Sequence, residues 1–100
     1  MKYPIDQSEI KQQVSLANGE RVVLLDRLGK YPKEEAARNV YRLNKDGDVL
    51  WRVRSQFDNE GNPFTRISNE QGKLTAYRWD GGTYGIDKET GNATPLQLDR

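Results

Sequence analysis

Histidine and cysteine are both missing from this 100-residue chain. Without cysteine there is no disulfide framework, no thiolate zinc site and no requirement for an oxidising compartment. Without histidine, Ser-His-Asp and Cys-His triads, imidazole metal sites and the commonest general base are excluded together. Long apolar runs are scarce too. The longest aliphatic one, Val22-Val23-Leu24-Leu25, is far too short to cross a bilayer, and Met1 to Asp6 lacks the apolar core of a signal peptide. A cytoplasmic location with no membrane association is therefore expected. A formal net charge of only +1 gives little long-range steering toward nucleic acid or an anionic surface.

Carboxylates remain the one route to catalysis, but the acids fall mainly in turns (Asp46, Asp48, Asp58, Glu60, Asp80, Asp87, Glu89), where they serve turn hydrogen bonding and solubility. Placing Gly47 or Gly61 at the sixth position of a twelve-residue calcium loop puts Arg42 or Gln56 first and Val53 or Ile67 last, so the end ligands are absent. Asp80-Gly81-Gly82 sits between two strand-like runs, with no following helix to cradle a phosphate. Asn92-Ala93-Thr94 matches the glycosylation acceptor pattern without an export signal to make it usable. The expectation is a chain that is not an enzyme and takes no cofactor or metal.

What is present is hairpin grammar. At 100 residues the chain is the size of one ordinary domain, and its apolar residues cluster in short runs between turn residues, so residues 1–100 read as a single β-rich domain. Asn18-Gly19 separates Glu9–Leu16 from Arg21–Asp26, and Asn-Gly suits a two-residue turn with both φ positive. An amphipathic helix over residues 6–16, capped by Ser8, is the competing reading of the first of these runs. Lys33 to Arg38 is the one stretch with solid helix propensity, a turn or two after Pro32. Beyond it come Val40–Leu43, Val49–Arg54, Phe64–Ser68, Lys73–Trp79, Thr83–Asp87 and a last strand near Leu96 and Leu98, separated by turns rich in Asn, Asp and Gly. The fold class expected is mainly β: an antiparallel meander of seven or eight short strands forming a small barrel or sandwich, with at most one short helix.

Tyr41-Arg42-Leu43-Asn44-Lys45-Asp46-Gly47 is echoed by Tyr84-Gly85-Ile86-Asp87-Lys88-Glu89-Thr90-Gly91, an offset of 84 − 41 = 43 residues. Residues 39–53 and 72–91 thereby resemble the repeat of pyrroloquinoline-quinone-type β-propellers, in which a strand ends in a Gly turn and the next strand carries a Trp, as Trp51 does. The resemblance implies β-hairpins. A propeller needs about four blades or more, and two partial ones imply no cofactor and no activity. The whole chain is also similar to small stand-alone bacterial proteins of uncharacterised function.

Residues 38–79 carry eight Lys or Arg against five Asp or Glu. If Tyr41, Leu43, Trp51, Val53, Tyr77, Trp79, Tyr84 and Ile86 face inward, strand alternation sends Arg42, Arg52, Arg54 and Arg78 to the opposite face, with Arg66 joining them. Such a face suits bidentate recognition of carboxylate or phosphate; the plainer alternative is a solvated sheet face partly paired with acids. Phe57 and Phe64 flank the polar loop from Asp58 to Pro63, a candidate recognition loop. These residues point to a non-enzymatic module binding another macromolecule. A protein partner, in an inhibitor or immunity-type role, is the first reading, and a nucleic-acid-binding barrel is the alternative. Exposed sheet edges leave room for a homo-oligomer.

Overall fold

Asn18 and Gly19 both adopt positive φ, 63° and 76°, which is what a tight hairpin with right-handed strand twist demands. They turn β1 (Ile10–Ser15) back along β2 (Arg21–Leu25). In this computed structural model, which describes residues 5, 7–27, 31–79 and 81–98, the same device recurs at Gln71 and Gly72 (φ 52° and 77°). That second turn joins β5 (Phe64–Glu70) to β6 (Lys73–Arg78). β3 (Val40–Leu43), β4 (Val49–Arg52), β7 (Gly82–Ile86) and β8 (Ala93–Leu98) complete the set. The competing helix at residues 6–16 reduces to a 3-10 turn, Gln7–Glu9, ahead of β1. The expected short helix is α1 (Lys33–Ala37), directly after Pro32.

The strands form two four-stranded antiparallel sheets, β1-β2-β3-β4 and β5-β6-β7-β8. They face each other as a sandwich, with no closed barrel. Val22, Leu24, Val40, Trp51 and Val53 from the first sheet meet Phe64, Ile67, Leu74, Ala76, Tyr84, Ile86 and Ala93 from the second in one buried cluster. Each aliphatic side chain so buried is worth about 1.5–3 kcal/mol relative to exposure. A smaller cluster of Val23, Leu25, Tyr41 and Leu43 lies on the other face of the first sheet, against Ile5, Ile10 and Val49. The central strand β2 is thus covered on both sides, which explains why Val22-Val23-Leu24-Leu25 is an unbroken aliphatic run and not an alternating one.

The outer face of the second sheet has no such cover. Outward positions on its middle strands are Thr75, Tyr77, Thr83 and Gly85, all half-buried.

Candidate functional site

β5 is an edge strand, and two side-chain amides from the first half of the chain close its open edge. Asn39 accepts from the Phe64 N–H (2.9 Å) and donates to the Phe64 carbonyl (2.8 Å) and to that of Leu25 (2.8 Å). Gln12 does the same at Ile67, accepting from the N–H at 2.9 Å and donating to the carbonyl at 2.7 Å. Each amide reproduces the donor-acceptor pair of a neighbouring strand, and so fixes where β5 lies against the first sheet. Nothing in hairpin patterning marks either residue.

The loop before β5 is held as firmly. Asp58 is buried, and its carboxylate accepts from the Ser55 N–H (2.9 Å) and hydroxyl (2.8 Å), Arg38 Nε (2.8 Å) and Arg78 Nη2 (3.0 Å). Burial alone would push this carboxyl up; the Ser55 N–H, then Arg38, the Ser55 hydroxyl and Arg78, outweigh it and hold the pKa below its ordinary value. Arg78 is fully buried, its guanidinium carbon 4.2 Å from the Phe64 ring centre and 4.7 Å from that of Tyr84. The Asp58–Pro63 loop is therefore not a free recognition loop. Asp58 and Phe64 are core residues, Phe57 packs against the core, and a Cβ on Gly61 would come within 2.9 Å of Lys33 at the start of α1.

The expected arginine face does not form, for reasons of register. β3 and β4 pair Arg42 with Trp51 and Tyr41 with Arg52, with an irregularity between Arg42 and Leu43. Cross-strand partners share a face, so Arg42 and Arg52 lie on opposite faces of the first sheet. Arg42 binds Glu20 and donates to the Lys88 carbonyl across the sandwich (2.6 Å). Arg52 pairs with Glu35 (3.0 Å) and sits 6.0 Å from the Tyr41 ring centre. Arg54 is exposed where its backbone bridges to Asn92. Arg66 lies on the second sheet, exposed, and Arg78 points into the core. On β6 the inward phase belongs to Leu74, Ala76 and Arg78, so Tyr77 and Trp79, expected inside, are on the solvent side.

That inversion creates the most distinctive exposed surface. Trp79 is 62% exposed although its N–H is anchored to the Pro63 carbonyl (2.9 Å). On the same strand face is Tyr77, with the Arg66 guanidinium 5.3 Å from its ring centre. Two shallow concavities of about 390 and 530 Å³ share Thr75 as a divider, the first bordered by Arg66 and Tyr77, the second by Lys73 and Leu96. Gly85 helps to form the second, and Leu96, 63% exposed, stands 3.5 Å from where a Cβ on that glycine would lie. Small residues in the middle of the sheet, flanked by Arg66, Tyr77 and Leu96, make this face concave.

Among the described residues no cluster of three or more acidic side chains is arranged to hold a metal ion, and no helix is long and apolar enough to cross a membrane. A family model described as Domain of unknown function (DUF7957) matches residues 5–98. No curated protein and no solved structure matches.

Proposed function

We propose that this chain, which belongs to the DUF7957 family, is a non-enzymatic protein-binding module whose working surface is the outer face of β5–β8. The observation that carries this reading is Trp79, 62% exposed just past the end of β6, on the strand face that also carries Tyr77, whose ring centre lies 5.3 Å from the Arg66 guanidinium. Leaving an indole in water forgoes the largest apolar burial any side chain offers. Trp, Tyr and Arg are also the residue types that dominate binding energy at protein interfaces. The concavities on this face are bordered by Tyr77 and Leu96 together with Arg66 and Lys73, whereas most other arginines are spent on internal pairs. An inhibitor or immunity-type role in the cytoplasm suits a small chain without catalytic groups.

A second reading rests on spacing. Tyr77 and Trp79 are two residues apart on one strand, about 7 Å, and with Arg66 and Lys73 they form a platform on which successive bases of a single strand would stack.

Capture by the immobilised chain at about 150 mM salt, with Trp79→Ala, Arg66→Glu and Arg52→Glu in parallel, separates the two. The expected result is a protein retained by the wild type and by Arg52→Glu, which alters the other sheet, and lost at least tenfold with Trp79→Ala, the cost of about 1.4 kcal/mol or more that an anchor carries. Nucleic acid bound only at low salt would replace this reading with the second. A self-associating chain that Trp79→Ala makes monomeric would identify the partner as a second copy.

A further inference from the structure

Cross-strand register sorts the outward side chains of β5–β8 into rows. The middle row is Ser68, Thr75, Gly85 and Thr94, each opposite the next and all small. On one side of it stand Arg66, Tyr77 and Thr83, again opposite one another. On the other side Glu70 pairs with Lys73, and the register that sets Leu74 opposite Ile86 brings Asp87 alongside Lys73. Both outer rows lie about 7 Å, two residues, from the middle one. Their members all border the two concavities of this face. The outer rows are also complementary in chemistry. Arg66 and Glu70 are equidistant from Ser68 on β5, Tyr77 and Lys73 from Thr75 on β6, and Thr83 and Asp87 from Gly85 on the line of β7. Guanidinium thus matches carboxylate, aromatic ring matches ammonium, and hydroxyl matches carboxylate. Within one chain the members of each match stand about 13 Å apart along their strand, too far to pair, so the match is satisfied when two such faces meet.

Resting on the docking reading, we infer that the occupant of this face is a second copy of the same chain, related by a two-fold axis that runs along the middle row, across the strands. Rotation about that axis lays β5 on β5 and β6 on β6 in opposite directions. Arg66 of each copy then meets Glu70 of the other, Tyr77 meets Lys73, and Thr83 meets Asp87, every contact made twice. Trp79 is as far from Thr75 as Gln71 is, in the opposite direction, so it reaches the Gln71-Gly72 turn of the other copy. That turn is open: both residues are exposed, and a Cβ on Gly72 would meet nothing within 4 Å. Leu96, 63% exposed beside the central Gly85, is covered near the axis. One apposition therefore covers Trp79 and Leu96, the two most exposed large apolar side chains among the described residues. A foreign partner would not require opposite signs to be placed equidistant from one row.

Four strands about 4.8 Å apart and about 20 Å long offer roughly 400 Å² in plan, and more once the side chains that stand on them are counted. That is the size of a weak, reversible interface, for which a Kd on the order of 10 μM is expected. Analytical ultracentrifugation of the purified chain, at concentrations bracketing that value and about 150 mM salt, should show a monomer–dimer equilibrium. Arg66→Glu and Glu70→Arg each set like charges opposite one another at both ends of the interface, and each should weaken dimerisation about tenfold or more. Mixed in equal amounts, the two variants should dimerise with each other about as well as the wild type does with itself, because every altered charge then faces its opposite. Recovery in the mixture also shows that both variants are folded. Trp79→Ala should weaken the dimer, and Arg52→Glu, with the same change of net charge as Arg66→Glu but on the other sheet, should leave it unchanged. A dimer that neither charge reversal weakens, or that the mixture does not restore, overturns this apposition. A chain that stays monomeric throughout overturns the inference; the docking reading then stands if a foreign protein is captured through Trp79, and falls with it if none is.

Discussion

Asp58 shows how much one side chain can carry in a small sandwich. It is the counter-charge that allows Arg78 to be buried and stacked between Phe64 and Tyr84. A buried ion pair is a modest source of net stability while intact, but losing one partner strands the other charge, typically at about 3–5 kcal/mol. Asp58→Asn should therefore lower the unfolding free energy extrapolated from urea titration by about 3–5 kcal/mol at neutral pH. The pH dependence follows from the same geometry. Because the folded carboxyl sits below its ordinary value of 3.8, the unfolded chain takes up the proton first on acidification. The stabilisation is fully present above that value and is lost as the pH falls through the folded-state one. Urea titrations from about pH 7 down to about pH 2 should show the gap between wild type and Asp58→Asn closing only in the acid range. An equal gap at every pH would mean that Asp58 acts by shape and not by charge.

The elements were largely legible in sequence because they rest on local chemistry. Asn18-Gly19 marked the first hairpin, Pro32 the start of α1, and the paired Tyr41 and Tyr84 segments fall on β3 and β7, the third strand of each sheet. What was not legible is phase. On β6 the aromatics Tyr77 and Trp79 were read as the inward set, but the aliphatic phase Leu74 and Ala76 prevails, carrying Arg78 inward. That outcome needs a carboxylate from a loop twenty residues earlier and two ring faces from neighbouring strands, none of which alternation reports. Register decides the arginines likewise: one irregularity in the β3–β4 pairing places Arg42 and Arg52 on opposite faces. Asn39 and Gln12 escaped notice because an amide that imitates a strand leaves no periodic trace. The turn after β7 offers a direct check on packing between the sheets. Gly91 has φ 81°, and a Cβ there would stand 2.6 Å from the Trp51 ring, whereas Gly47, φ 88°, has nothing within 4 Å. Gly47→Ala should cost about 1 kcal/mol, the backbone penalty alone, and Gly91→Ala about 1–3 kcal/mol more from the forced shift of Trp51. Equal thermal shifts for the two would place Trp51 elsewhere.

At the scale of the whole molecule, the two sheets differ in what covers them. The first is covered on both faces of β2, while the second offers its outer face to solvent, with Tyr77, Arg66 and Leu96 around a floor of small residues and Trp79 exposed just past the end of β6. Asn39 and Gln12 close the edge of β5, and Pro95 interrupts the donor row of the edge strand β8. The exposed face is thus the broader surface available for association, and strand addition at these two edges is disfavoured. Acrylamide quenching of tryptophan fluorescence, on the free chain and on the chain bound to its captured partner, tests this most directly. Trp51 is 8% exposed and Trp79 62%, so quenching of the free chain reports Trp79. Docking on the outer face of β5–β8 predicts that the partner shields this fluorescence almost completely; a bound partner that leaves Trp79 as quenchable as before would contradict it.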